Sequence, residues 1–237
     1  MKILITGHGR MGKLIETTAA AMGHTVAGVI SSQNASDLLT LGKVADVILD
    51  FSAPALIPTL CEYARRTGTA LLSGTTGLTD DLLALLHETG EAVPVIHSGN
   101  YSTGIAIFRE ILERYAALLL DGFDCEIVET HHNQKADAPS GTAKLLYNAI
   151  DPNGEYALTH GREGITGKRP VKEIGMHSLR GGTVAGTHTV SFFGPDETIE
   201  ITHTATSRQI FVNGALRTAE KLITRPAGFY TIKELLF

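Results

Sequence analysis

Apolar residues recur along the first hundred positions in short blocks separated by helix-spaced stretches. Lys2 to Thr6 is an aliphatic run, and Met11, Leu14, Ile15, Thr18 and Met22 then fall on one helical face. Thr25 to Ile30, Val44 to Phe51, Ala70 to Ser73 and Val93 to His97 repeat the strand signal, the Val44 run being nearly continuous, as for a strand buried on both faces. Helical spacing fills the intervals: one or two turns over Ala35 to Leu41, a helix from Pro54 to about Arg66, and one N-capped by Thr79 and reaching about Thr89. Strands alternating with helices through short connections predict a parallel sheet whose ligands bind at the strands' carboxyl ends.

After residue 101 the pattern changes. Ser102 or Thr103 can cap a long helix with Ile105, Phe108, Ile111, Leu112, Tyr115 and Leu119 at helical spacing. Strands then dominate: Cys125 to Thr130, Thr187 to Phe193 and Glu197 to Thr206, with a Gly-Pro-Asp turn between the last two and a short helix from Gly141 to about Ile150. A final helix over Ser207 to Thr224, with Phe211, Ala215, Ala219 and Leu222 inward, is expected to pack back on the first domain. The reading is α/β: a Rossmann-type dinucleotide-binding domain from residues 1–101 and 210–237, and a second α+β domain over 102–209 with a mixed or antiparallel sheet.

Composition narrows the class. The 237 residues carry a formal charge of −5, with 43% hydrophobic and 19% charged residues, which argues against a nucleic-acid or acidic-membrane binder. The opening M-K-I-L-I-T-G has too short an apolar run for a signal peptide or a membrane span, so a cytoplasmic location is expected. Cys61 and Cys125 lie in apolar settings without a C-x-x-C, and both read as core residues.

Candidate chemistry sits at strand ends. G-H-G-R-M-G, Gly7 to Gly12, follows the first strand and opens a helix, the context a dinucleotide fingerprint needs for its tight turn, close phosphate approach and helix packing. The second strand ends in Ser31-Ser32-Gln33 rather than the acidic residue that grips an adenosine ribose, leaving NADH and NADPH both open. The stretch Cys125 to Ala143 holds the densest cluster. His131 and His132 are adjacent, so on an extended segment they face opposite ways and two roles are expected. Lys135 supplies a tunable ammonium suited to donating a proton. Ser140 reads as an N-cap, and Ser140, Gly141 and Thr142 would offer donors to a carboxylate at a positive helix end. A solvated polar loop with incidental histidines is the competing reading. Adjacent histidines lack the spacing of a helical zinc motif, so no metal is expected, and A-P-S-G-T lacks the elbow of a serine hydrolase. Arg162, Lys168, Arg169 and Arg180 read as mostly solvated cations on mobile loops.

These residues resemble the 4-hydroxy-tetrahydrodipicolinate (dihydrodipicolinate) reductase family. The resemblance rests on E-x-H-H-x-x-K-x-D-A-P-S-G-T, Glu129 to Thr142, together with G-R-M-G, D-F-S, G-T-T-G, I-G-x-H-S-x-R-G-G and a C-terminal G-F-Y-T. It implies NADPH- or NADH-dependent reduction of a cyclic imine dicarboxylate in the diaminopimelate route to lysine, and a homotetramer. By the same resemblance His131 and Lys135 are catalytic, and His132, Gly141 and Thr142 bind substrate. Gly7, His8, Gly9, Arg10, Met11, Gly12, Gly74, Thr75, Thr76, Ser98, Gly99, Asn100 and Tyr101 are cofactor positions, and Ser32, where the chain departs from the family's acidic-basic pair, joins them as a hydroxyl able to donate to a ribose 2′-phosphate. A nicotinamide-binding sensor without turnover and a reductase of another cyclic imine are the alternatives.

Overall fold

The computed structural model describes all residues, 1–237, and divides into two compact units, Met1–Thr103 with Gln209–Phe237, and Gly104–Arg208. In the first unit five strands run in chain order: β1 (Lys2–Thr6), β2 (Thr25–Ile30), β3 (Val47–Asp50), β4 (Ala70–Ser73) and β5 (Pro94–His97). Helices α1 (Arg10–Ala21), α2 (Ile57–Thr67) and α3 (Asp80–Gly90) alternate with them, and 3-10 turns occupy Ala35–Leu39 and Pro54–Leu56. The short third strand is buried at every position, as its unbroken apolar run requires.

The sheet has six strands rather than five. The chain's last segment contributes β11 (Gly228–Tyr230), which pairs in parallel with β5 and completes the order β11-β5-β4-β3-β1-β2. Helix α6 (Gln209–Leu222) and the terminal helix α7 (Ile232–Leu236) belong to the same unit. Val212, Ala215, Leu216, Ala219 and Leu222 of α6 join the core that covers one face of β1, β3 and β4. The inward face therefore carries Val212 where Phe211 was expected. Close packing sets this: a Cβ on Gly214 would stand 1.7 Å from the Tyr101 carbonyl oxygen, so the helix approaches that backbone along its glycine side. On α1 the buried set is Gly12, Ile15 and Ala19, and Met22 is left exposed.

The second unit is built on α4 (Thr103–Leu120), β6 (Asp124–His131), α5 (Gly141–Ile150), β7 (Ala157–Thr159), β8 (Glu173–Arg180), β9 (Gly186–Phe193) and β10 (Thr198–Ala205). Its sheet is mixed: β6 pairs in parallel with β8 and antiparallel with β9, in the order β10-β9-β6-β8-β7. Strand β8 lies where the sequence pattern gave only a Gly/Arg-rich section. Ile105, Phe108, Leu112 and Ala116 of α4 pack with Cys125, Ile127, Val190 and Phe192 in the core, whereas Tyr115 points out. No helix is long and apolar enough to cross a membrane.

Candidate active site

Strand β6 aims the site by its period of two. Cys125, Ile127, Glu129 and His131 are the buried positions, so the inward face that begins in the core ends on a carboxylate and an imidazole. Pairing then fixes their neighbours: Glu129 lies across from Ser178 of β8 and His188 of β9, and His131 lies across from Arg180. His132, one residue on, leaves the strand, with its N–H donating to the Val184 carbonyl at 2.8 Å. The two histidines thus part as the alternation requires.

Glu129 is fully buried and saturated with donors. Arg180 reaches both carboxylate oxygens from its two terminal nitrogens, at 2.9 and 2.8 Å. His131 Nδ1 contacts Oε2 at 2.5 Å, and the Ser140 N–H donates to Oε1 at 3.1 Å. Burial by itself raises this carboxyl, but hydrogen bonds from Arg180, Ser178 and His131 outweigh it and bring its pKa down to about 2. His188, packed edge-on to His131 with ring centroids 5.1 Å apart, is held by Ser140 Oγ at 2.9 Å. Burial, reinforced by the neighbouring His131, lowers its pKa to about 4, so it is neutral near pH 7.

Lys135 lies in the turn before α5, its Nζ 2.8 and 3.0 Å from the two carboxylate oxygens of Asp137. That hydrogen bond is the main cause of the lowered Asp137 pKa. Ser140 caps α5, its Oγ accepting from the Ala143 N–H at 3.1 Å. Gly141 is exposed with open space where a Cβ would go, and Thr142 follows in the first helical turn. His131, Lys135, Ser140, Gly141 and Thr142 therefore lie along one strand-turn-helix segment, and no acidic residue occupies the helix's first turn.

The dinucleotide turn is equally specific. Gly7 adopts φ +87°, and a Cβ there would lie 2.3 Å from the Phe51 carbonyl oxygen. A Cβ on Gly12 would lie 1.9 Å from the Gly7 carbonyl oxygen, whereas one on Gly9 would meet nothing within 4 Å. Gly9 is the N-cap of helix α1, which has no side-chain cap and no acid in its first turn, so no carboxylate of its own opposes the positive helix end. This arrangement fits the pyrophosphate of a dinucleotide. His8 and Arg10 are exposed beside it, while Met11 packs against the core. Ser32 is exposed in the turn after β2, where Ser31 bonds to Asn34.

At the other strand ends the predicted residues divide. Thr76, Ser98, Gly99 and Asn100 are accessible to differing degrees, but Thr75 is buried, its Oγ1 donating to Asp50 at 2.8 Å. Gly74 presses on the Phe51 ring. Tyr101 is a core residue: it is 2% exposed and its hydroxyl donates to the Ser73 carbonyl at 2.7 Å. Its side chain is thereby committed to the fold, because the helix-proximal end of this loop is clamped against Gly214.

A family model described as the N-terminus of dihydrodipicolinate reductase matches residues 1–101, and one described as its C-terminus matches residues 104–236. The chain belongs to the dihydrodipicolinate reductase family. Within that family it is 42% identical over 238 residues to the 4-hydroxy-tetrahydrodipicolinate reductase of an Exiguobacterium species, covering 99% of this chain and 95% of the relative. The enzyme of that name from Staphylococcus aureus is 42% identical over 247 residues, covering 99% of this chain and all of the relative. Among solved structures, the dipicolinate-bound dihydrodipicolinate reductase of Paenisporosarcina sp. TG-14 superposes with a TM-score of 0.80 over 97% of each chain at 22% identity. Diaminopimelate dehydrogenase of C. glutamicum shares the fold, with a TM-score of 0.57 and 13% identity over 99% of this chain and 93% of its own.

Three site residues escaped the sequence reading. Glu129 and His188 needed strand register, although the two-residue spacing of Glu129 and His131 already places both on one face of a strand. Arg180 was read as solvated, yet it pairs with a buried acid. Arg162 and Arg169 likewise are paired rather than free: they bind Glu126, Glu173 and Asp124, which tethers the 161–169 segment to β6 and β8. Asp124 and Glu126 lie near the start of β6, out of reach of local sequence spacing. Thr79 precedes α3 as expected but makes no side-chain capping bond.

Proposed function

We propose that this chain catalyses the reduction of 4-hydroxy-tetrahydrodipicolinate to tetrahydrodipicolinate at the expense of NADH or NADPH, within the diaminopimelate route to lysine. The observation that carries the reading is the Glu129-to-Thr142 segment, in which a carboxylate-held imidazole, an ammonium and an open helix start are assembled together. Relatives bearing that enzyme name match along the full length of the chain.

The reduced nicotinamide supplies the hydride. The chain's own groups do the rest. Gly141 and Thr142, at the positive start of α5, bind a substrate carboxylate, and His132 contacts the substrate. The 4-hydroxyl of the substrate leaves as water together with a hydrogen from the adjacent ring carbon; Lys135, an ammonium held by Asp137, donates the proton that balances the hydride, and His131 exchanges a proton through Nε2. The glycine turn at Gly7 to Gly12 holds the pyrophosphate, with Thr76, Ser98, Gly99 and Asn100 lining the nicotinamide side. No carboxylate stands beside Ser32 to repel a ribose 2′-phosphate, so both cofactors are admitted.

The test mixes purified protein with each reduced cofactor and the freshly made condensation product of pyruvate and aspartate semialdehyde, and follows nicotinamide absorbance. Loss of absorbance is expected with both. No loss with either would end the reading and favour a sensor without turnover. In the same assay Lys135→Ala is expected to lower kcat by about a hundredfold, the low end for a general acid, with cofactor affinity unchanged. Turnover near wild type would remove Lys135 from the proton path.

A further inference from the structure

We infer that Glu129 is the positioning residue of this site, one buried carboxylate that sets both the proton-bearing nitrogen of His131 and the start of helix α5. The inference deepens the reductase reading, since the work of His131 and of the helix start is taken from it.

The geometry of the carboxylate carries the argument. An ionised carboxylate only accepts hydrogen bonds, and every group turned toward Glu129 is a donor: two Arg180 nitrogens, the Ser140 N–H, the Ser178 side chain and His131 Nδ1. His131 must therefore keep its proton on Nδ1 when neutral, which leaves Nε2 as the nitrogen that takes or gives a proton. Space is kept for that nitrogen. A Cβ on Gly186 would stand 2.9 Å from His131 Nε2, so glycine at this position leaves the imidazole's working edge clear. The neighbouring His188 remains neutral near pH 7 and adds no second positive charge against the ring.

The second task follows from the other oxygen. Ser140 is the N-cap of α5, and its N–H donates to Glu129 Oε1 at 3.1 Å. The start of the helix is thus tied to the same group that orients His131. A lone negative charge here would cancel the field that attracts a substrate carboxylate. Arg180 neutralises it through two parallel contacts, leaving the positive helix end to act on the substrate. A plain structural weld between β6 and β8 would also pair Glu129 with Arg180. It would not require the imidazole and the helix cap to share the same carboxylate.

The first experiment reads wild-type protein without turnover. With 15N-labelled histidine, the imidazole signals of His131, assigned by their loss in His131→Ala, are expected to show the proton on Nδ1 in the neutral ring. A proton on Nε2 overturns the inference. The second is a double-mutant cycle. Glu129→Gln is expected to lower kcat by about tenfold or more and to raise substrate KM, with the cofactor Kd unchanged. In a His131→Ala background the same substitution is expected to change kcat by less than about twofold. An equal loss of kcat in both backgrounds overturns the inference. If Glu129→Gln does not fold, Arg180→Lys replaces it in the cycle, because lysine keeps the charge but loses the paired contact. Failure of the wild type to oxidise either cofactor would end the reductase reading alone, since the imidazole signals are read without substrate.

Discussion

At the residue scale the site is governed by where charge is tolerated. Glu129 holds a full negative charge at zero exposure because donors surround it, and His188 stays neutral because burial leaves its cation poorly solvated. Both make stability depend on pH, in the same direction but over different windows. The folded pKa of His188 is lowered from 6.5 to about 4. Between those values the unfolded chain binds the proton and the folded chain does not, so stability falls as pH drops through that interval and levels off below it. The folded pKa of Glu129 is lowered from 4.5 to about 2, so its contribution is complete above 4.5 and is lost as pH falls toward 2. Thermal melting across pH 7 to 3 should fall in both windows, and His188→Gln should flatten the upper one. An unchanged upper limb in that variant would assign the loss to other groups.

At the scale of elements the glycine turn separates what the fold needs from what a ligand needs. Gly12 is closed by the Gly7 carbonyl and Gly9 is open. Gly12→Ala should therefore lower the melting temperature of the ligand-free protein by several degrees, as a core clash of about 1–3 kcal/mol would. Gly9→Ala should leave that temperature nearly unchanged while weakening NADH binding by about tenfold or more, because its methyl would project into the space assigned to the pyrophosphate. Similar melting losses with intact binding in both variants would contradict that assignment. Elements of this kind were legible in the sequence because local spacing writes them: β1, α1, β4 and α5 stand where periodicity and capping put them. Strand β8 was not, since its pattern EIGMHSLR carries glycine, charge and histidine, and its identity comes from pairing in parallel with β6. The same reason hid half the site. Lys135, Ser140 and both histidines lie within ten residues of one another, but Arg180 and His188 reach Glu129 only across strands. Tyr101 has a part that spacing did not show: its ring meets Phe51 edge-on and its hydroxyl donates to the Ser73 carbonyl within the core.

On the scale of the whole molecule, the second unit's sheet ends on β10, an eight-residue strand paired only with β9, with Ile199 exposed along it. Such an edge invites pairing with another copy, in keeping with the homotetramer the family resemblance implies. Light scattering should then give a mass near four times 25.3 kDa, and a monomer at micromolar concentration would contradict that expectation. The chain's path through its two units has another consequence, for the order in which they can be finished during synthesis. Residues 104–208 are contiguous, so that unit has all its strands once they have emerged. The sheet begun by Lys2 must wait for Gly228–Tyr230, made after the whole of the second unit. The later-encoded unit can thus mature first, while the nucleotide-binding half keeps the exposed edge of β5 until Gly228–Tyr230 have emerged. A chain halted after Arg208 is expected to resist proteolysis within 104–208 and to be cut readily within 1–103. Equal protection of both would mean that β11 only decorates a sheet already formed.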